Sequence, residues 1–340
     1  MVGNAFFLFP GQGAQYPGMA LDLLDSSSAL NSGERVKLLF SMASEIAGKD
    51  MIAVLGNSSP DTLKRTDMSQ PVITLANLAA AAYLAERGLR PSGCAGFSLG
   101  EYAALAVAGV ISEEDCLHLT TQRGKAMQAA ADKMEAAGKV TGTSGPGTSG
   151  PSTAVPGMAA VVGLAPEKVE ALVAEWKARD NPDLKDLYVA NINSPRQTSV
   201  AGTARALTVA EGLFTAAGAR RYIRLQVNCP FHTPLLAGAA DEFRPFLEKV
   251  TFKEPIIPLY SNVSGKRVFS GEEAKKLALA QITSPVRWVD EEAAIMAAGG
   301  IDCLLETGPG MVLQGLWKDT GFSLPCYAAG TAADIDKLFE

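Results

Sequence analysis

The sequence predicts an α/β fold: a large unit on a mostly parallel sheet, with a smaller ferredoxin-like (βαββαβ) unit inserted in it. Three observations predict it. The first part of the chain alternates short apolar strands with helical stretches, the pattern that builds parallel sheets. Gly96-Phe97-Ser98-Leu99-Gly100 has the Gly-x-Ser-x-Gly form of an elbow between a strand and a helix. Residues 158 to 226 read strand, helix, strand, strand, helix, strand, which is the ferredoxin-like order.

Ala5 to Phe9 is a run of apolar residues that ends at Pro10-Gly11, as a first strand would. It is too short for a signal-peptide core and lacks a basic leader. Met68 to Arg87 reads as a helix, with Ser69 available as a cap and Pro71 near the first turn. Ser92 to Gly96 then gives a strand of small residues and Glu101 to Ala108 a helix. Ser112-Glu113-Glu114-Asp115 starts a further helix expected to reach about Met134, its acidic residues placed at the positive end of the dipole.

From 138 to 157 the pentapeptide Gly-Thr-Ser-Gly-Pro occurs twice in tandem, at 142 to 146 and 147 to 151, without an aromatic residue or a charge. Such a stretch buries too little to offset its ordering entropy, so a flexible loop is expected. The small unit then runs through Met158 to Leu164 (strand), Pro166 to Arg179 (helix), Leu187 to Ala190 and Thr198 to Gly202 (strands), Ala204 to Ala217 (helix) and Arg221 to Gln226 (strand). Ile257 to Ser261, Glu291 to Ala298 and Cys303 to Glu306 return to the large unit. The expected division is therefore 1–137 with 229–340 as the large unit, 138–157 as the loop and 158–228 as the small unit. A cleft between two such units is a usual place for a ligand.

Composition narrows the function classes. With 47% hydrophobic residues over 340, the chain can bury a large core. A net charge of -6 gives no reason to expect nucleic acid or an anionic membrane as partner. No apolar run approaches the length of about 18 residues that spans a bilayer. The five cysteines are an odd number and no two stand at metal-ligand or redox-motif spacing, which implies a reducing cytoplasm or organelle matrix and no bound metal. Cys229 lies close before His232, but an ordinary buried thiol is the favoured reading over a Cys/His pair.

Ser98 is the candidate nucleophile, because a serine on so sharp a turn projects its hydroxyl above the sheet while the flanking glycines avoid a Cβ clash. Only two histidines exist to serve as base. His118 is mid-helix and reads as an ordinary helix residue. His232, between Phe231 and Thr233-Pro234, sits on irregular backbone that can aim the ring into a cleft.

Together with the elbow, Phe9-Pro10-Gly11-Gln12-Gly13, Gln122-Arg123-Gly124, Pro230-Phe231-His232-Thr233-Pro234 and Glu306-Thr307-Gly308-Pro309-Gly310 stand in an order and at separations that resemble the malonyl-CoA:acyl carrier protein transacylases and the related acyltransferase domains of fatty acid and polyketide synthases. The resemblance runs from about residue 5 to about residue 320. It implies an α/β-hydrolase-like large subdomain and a ping-pong transfer of malonyl from coenzyme A to the phosphopantetheine thiol of acyl carrier protein through a malonyl ester on Ser98, without metal or bound cofactor.

By the same resemblance His232 is the base, and the backbone carbonyl of Gln281 orients its ring in place of a triad acid. The backbone N–H groups of Leu99 and Gln12 form the oxyanion hole. Arg123 holds the malonate carboxylate. Phe231 crowds a 2-methyl branch, and Asn191 and Asn193 line the cleft, with one or both otherwise plain turn residues. Phe97 departs from the pattern, standing where most members have a histidine.

An acidic enzyme must meet an acidic carrier with a local positive patch, for which Arg196, Arg220, Arg221 and Arg224 are candidates. A monomer in the cytoplasm is expected, with activity rising through about pH 6 to 7, the unperturbed imidazole range. The alternatives are a serine hydrolase or thioesterase using Asp180, Asp183 or Asp186 as the triad acid, a discrete polyketide acyltransferase, and a noncatalytic synthase scaffold.

Overall fold

In the computed structural model, which describes residues 3–27, 34–140, 155–179 and 181–340, strand β1 (Ala5–Phe9) is buried along its whole length. A central parallel strand covered on both faces requires just such an apolar run. Helices α1 (Leu21–Ser27), α2 (Glu34–Ala47), α3 (Met51–Asn57) and α4 (Pro60–Lys64) lead to the long α5 (Thr66–Glu86). They are followed by β2 (Gly93–Gly96), α6 (Gly100–Val107) and α7 (Glu113–Val140). Helix α5 is buried on all sides from Met68 to Leu84, as an all-round apolar helix must be, and packs between α2 and α7.

The smaller sheet is formed by β3 (Gly157–Val162), β4 (Leu187–Ser194), β5 (Gln197–Gly202) and β6 (Arg221–Arg224), with α8 (Pro166–Ala178) and α9 (Ala204–Ala216) between them. Its order, β4-β5-β3-β6 with antiparallel neighbours, is the ferredoxin-like arrangement. It has its own core, in which the rings of Trp176 and Phe214 meet edge to face at 4.8 Å.

A 3-10 turn at Pro234–Leu236 and α10 (Ala237–Lys249) lead to β7 (Leu259–Ser261), β8 (Lys266–Val268), α11 (Gly271–Ala280) and α12 (Trp288–Ala298). Strand β9 (Cys303–Glu306), α13 (Val312–Thr320), β10 (Cys326–Ala328) and α14 (Ala332–Lys337) complete the described chain. The large sheet has the order β10-β9-β1-β2-β7-β8, parallel except for the β7–β8 pair. No helix among the described residues is long and apolar enough to cross a membrane.

Three expectations are corrected. Helix α5 begins at Thr66, not Met68, because Gln128 Oε1 of α7 accepts the Thr66 N–H at 2.9 Å; Ser69 is therefore inside the helix and caps nothing. Helix α7 runs past Met134 to Val140, through Gly138, since one interior glycine costs only about 1 kcal/mol among good helix formers. Residues 138–140 thus belong to α7 and residue 157 to β3 rather than to the loop, and the tandem repeat lies outside the described residues. Strand β4 continues to Ser194, so Asn191 and Asn193 are strand residues and not turn residues.

Candidate active site

Loops leaving the carboxyl ends of the parallel strands β1, β2, β7 and β9 meet at one place, the usual location of ligand sites in open α/β sheets. Phe97 N donates to Phe9 O at 2.9 Å and Thr307 N to Leu8 O at 2.8 Å. Asn77 of α5 donates to Pro10 O at 2.9 Å. Gly308 lets the Glu306 to Gly310 segment close on this loop, since a Cβ there would stand 2.0 Å from Asn77 Oδ1. The elbow is equally tight: a Cβ on Gly96 would lie 2.1 Å from Gly100 C, and one on Gly100 2.0 Å from Phe9 O.

At the tip Ser98 has φ +51°, and His232, in the loop after β6, has φ +60°. Left-handed backbone costs a non-glycine residue about 1–3 kcal/mol and persists only where the surroundings over-determine it. Ser98 Oγ lies 2.7 Å from His232 Nε2, and His232 Nδ1 lies 2.8 Å from the carbonyl oxygen of Gln281. A carbonyl only accepts, so Nδ1 carries the proton and Nε2 is left to accept from the serine hydroxyl. Burial, helped by the positive charge of Arg123, pushes the imidazole down to about 4. The ring is thus neutral well below the pH 6 to 7 expected of a free imidazole.

Arg123 of α7 is 2% exposed. Its Nη1 donates to Gln70 Oε1 at 2.9 Å and its Nη2 to Gln281 Oε1 at 3.0 Å, while its Nε has no partner among the described residues. The guanidinium also lies over the Tyr102 ring at 5.4 Å. Its direct hydrogen bonds are to neutral amides, and burial lowers its pKa.

A cavity of about 200 Å3 joins these groups; Ser98, His232, Arg123, Gln12, Leu99 and Phe231 all line it. Asn191 and Asn193 reach it from β4, each with a buried side-chain oxygen that lacks a partner among the described residues. Leu99 stands at the N-terminus of α6, where backbone N–H groups have no intrahelical acceptor. The Gly11 loop packs on that end: a Cβ on Gly11 would lie 2.3 Å from Phe97 O and 3.4 Å from Leu99 N. Phe97 lines the cavity and meets Trp288 edge to face at 5.4 Å, making this wall apolar.

The other candidates separate from the site. His118 is exposed on α7, and Cys229 is buried with its thiol pushed up by desolvation, an inert state. Asp183 pairs with Arg205 at 2.8 Å and Asp186 faces Tyr188, whereas the position beside Nδ1 is taken by Gln281; Asp180 lies outside the described residues. Arg196, Arg220 and Arg221 gather at the Val162 end of β3 and are exposed. Arg224 is half-buried opposite Ala159, away from them.

Sequence reasoning missed a shell of buried polar residues behind the dyad. Asn262, after β7, accepts the Ser98 N–H on Oδ1 at 2.6 Å and donates from Nδ2 to Gly96 O at 2.8 Å and Glu291 Oε1 at 2.5 Å. Glu101 Oε2 accepts from Asn262 N at 3.0 Å and Gln281 Nε2 at 2.7 Å. Gln281 is wholly buried, not a surface amide. The available signal was polar residues inside otherwise apolar stretches, such as Gln70 in α5.

The chain matches the acyl transferase domain model over residues 6–182. Its fold and this match define it as an acyltransferase. It is 31% identical to the malonyl CoA-acyl carrier protein transacylase of Bacillus subtilis over 98% of this chain and 96% of that one. It superimposes on an acyl carrier protein S-malonyltransferase from Vibrio cholerae with a TM-score of 0.84 at 32% identity, covering 99% of this chain and 100% of that one. A malonyl-transacylase solved in complex with a type II polyketide synthase acyl carrier protein gives 0.83 at 31% identity, over 98% of each chain. The chain belongs to the malonyl CoA-acyl carrier protein transacylase family.

Proposed function

We propose that this acyltransferase moves malonyl from malonyl-CoA to the phosphopantetheine thiol of acyl carrier protein through a malonyl ester on Ser98. The observation that carries the malonyl assignment is Arg123, a buried guanidinium in the cavity of Ser98 and His232 that is bonded to amides and retains an unpartnered Nε–H. A carboxylate-bearing acyl group completes it by charge-assisted hydrogen bonds, and an acetyl group does not. The names of the relatives support the same substrates.

In the first half-reaction Nε2 takes the hydroxyl proton as Oγ attacks the thioester carbon. The N–H groups of Leu99 and Gln12 receive the oxyanion. The C–S bond then breaks, the leaving sulfur takes the proton from Nε2, and coenzyme A departs. In the second half the carrier thiol gives its proton to Nε2 and attacks the ester; Oγ leaves and recovers the proton. The Gln281 carbonyl holds Nδ1–H throughout, so no carboxylate is required. Phe231 limits the room beside the 2-carbon, and Asn191 and Asn193 contact the acyl group. No metal or bound cofactor takes part. Arg196, Arg220 and Arg221, on one end of the small sheet, meet the acidic carrier, with the chain acting as a monomer.

Mass spectrometry after mixing with malonyl-CoA alone tests this reading. One malonyl group on Ser98, released by carrier protein, is expected. Steady production of free malonate would make the chain a hydrolase, and no modification would make it a scaffold.

A further inference from the structure

The charges buried behind the dyad form a chain with a defined direction. Glu101 Oε2 faces the N–H of Asn262 and Nε2 of Gln281, both donors, so that oxygen acts as an acceptor. With Nε2 of Gln281 turned to Glu101 and to Ser98 O at 3.0 Å, its Oε1 must face Arg123. The main-chain carbonyl of the same residue holds His232. Asn262, held by Glu101 at its backbone, grips both sides of the elbow through Ser98 N and Gly96 O.

We propose that Glu101 is a positioning residue for the transfer, its ionised carboxylate fixing Gln281 and Asn262 so that Arg123, Ser98 and His232 keep one arrangement. The inference rests on the Ser98–His232 reading above. An ionised acceptor holds its donors about twice as strongly as a neutral one. Once Glu101 is protonated, Nε2 of Gln281 keeps only the neutral acceptors Ser98 O and Asn262 Oδ1, at 3.0 and 3.2 Å, so the hold that keeps Oε1 facing the guanidinium weakens.

The titratable and charged groups facing Glu101 are Arg123 from α7, Glu291 from α12, Tyr102 on its own helix backed by Cys116, and His232 beyond Gln281. Burial and the nearby Glu101 hold the Glu291 carboxyl far above the usual range, and burial keeps Tyr102 and Cys116 neutral. Arg123 and Glu101 are then the opposed charges of the shell. Burial also raises Glu101, to about 7, so its ionisation falls within the working range while that of His232, at about 4, does not.

The test is the rate at which a small fluorophosphonate, which needs no carboxylate site, modifies Ser98 as pH is varied. In the wild type the rate is expected to rise with a midpoint near pH 7. Glu101→Gln should lower the rate at high pH by about tenfold or more and remove the rise, with its melting temperature little changed. Glu101→Asp, which keeps the charge, should retain a rise with a displaced midpoint, and it decides the matter if Glu101→Gln does not fold. A wild-type profile flat from about pH 5.5 to 8.5 overturns the proposal, as does an unmoved rise in either variant. Absence of modification at Ser98 would overturn the dyad reading itself, a separate and recognisable failure.

Discussion

Gln281 holds Arg123 by its side chain and His232 by its main chain: Oε1 is 3.0 Å from Arg123 Nη2, and the carbonyl oxygen is 2.8 Å from His232 Nδ1. One residue therefore sets the distance between the group proposed to bind the carboxylate and the group proposed to move the proton. The C-terminal end of α11 places it there.

Gln281→Ala separates the two roles, because it deletes the side chain and keeps the carbonyl. A hydrogen bond to a charged group is worth about 1.5–3 kcal/mol, so kcat/KM for malonyl-CoA should fall about 10- to 100-fold. Steady-state transfer assays check this. A wild-type rate would show that the side chain is idle and the carbonyl alone matters.

Arg123→Ala tests the substrate assignment. Leaving one member of a buried charge pair unpartnered costs about 3–5 kcal/mol, which predicts a loss of roughly 10²-fold or more with malonyl-CoA. Acetyl-CoA has no carboxylate to strand and should lose far less. Equal losses for the two donors would assign Arg123 to the fold and not to malonate.

The elbow, the strands of the small sheet and β1, β2, β7 and β9 were legible in the sequence because their causes are local, whereas β8 and β10 were not expected and the role of His232 came only with the family resemblance. Glycine at 96 is set by contacts within its own turn, and β1 is a continuous apolar run bounded by turn residues. Glu101, Asn262 and Gln70 were not legible, since each is a single polar residue whose meaning comes from partners on other elements. The start of α5 failed for the same reason: Gln128, distant in sequence, does what Ser69 was expected to do. The lowered pKa of His232 was not legible either, because its burial depends on the whole site closing over it.

That burial has a consequence for stability. The folded ring titrates at about 4 and the unfolded one near 6.5, so between those values the unfolded chain binds the extra proton and stability falls as pH falls. The contribution is complete above about pH 6.5 and lost by about pH 4, amounting to about 3 kcal/mol. Glu101, raised to about 7, has the opposite sign: it binds its proton first in the folded state, and its contribution is lost as pH rises through about 7. Denaturant unfolding of wild type and His232→Gln cancels the Glu101 part. The difference between the two proteins should change by about 3 kcal/mol from pH 7 to pH 4. Parallel curves would mean that the ring is not held neutral.

Gly11→Ala tests the loop proposed to supply an oxyanion donor through the Gln12 N–H. Its Cβ would stand 2.3 Å from Phe97 O, an oxygen that already accepts from Gly100 N at 2.9 Å and is anchored to the elbow. The elbow is clamped by Asn262 and the strand pairing, so the Pro10 to Gln12 loop is the part that must move. Moving it withdraws the Gln12 N–H, and loss of one oxyanion donor typically costs about 10²- to 10³-fold in kcat. The fall should appear in kcat far more than in KM, because the oxyanion exists only after attack. Gly56→Ala in α3 is the control: its Cβ would meet only Leu21 Cδ1 at 3.8 Å, and alanine there should stabilise by about 0.5–1 kcal/mol with activity unchanged. A Gly11→Ala protein with wild-type kcat would show that the loop after β1 does not supply the donor.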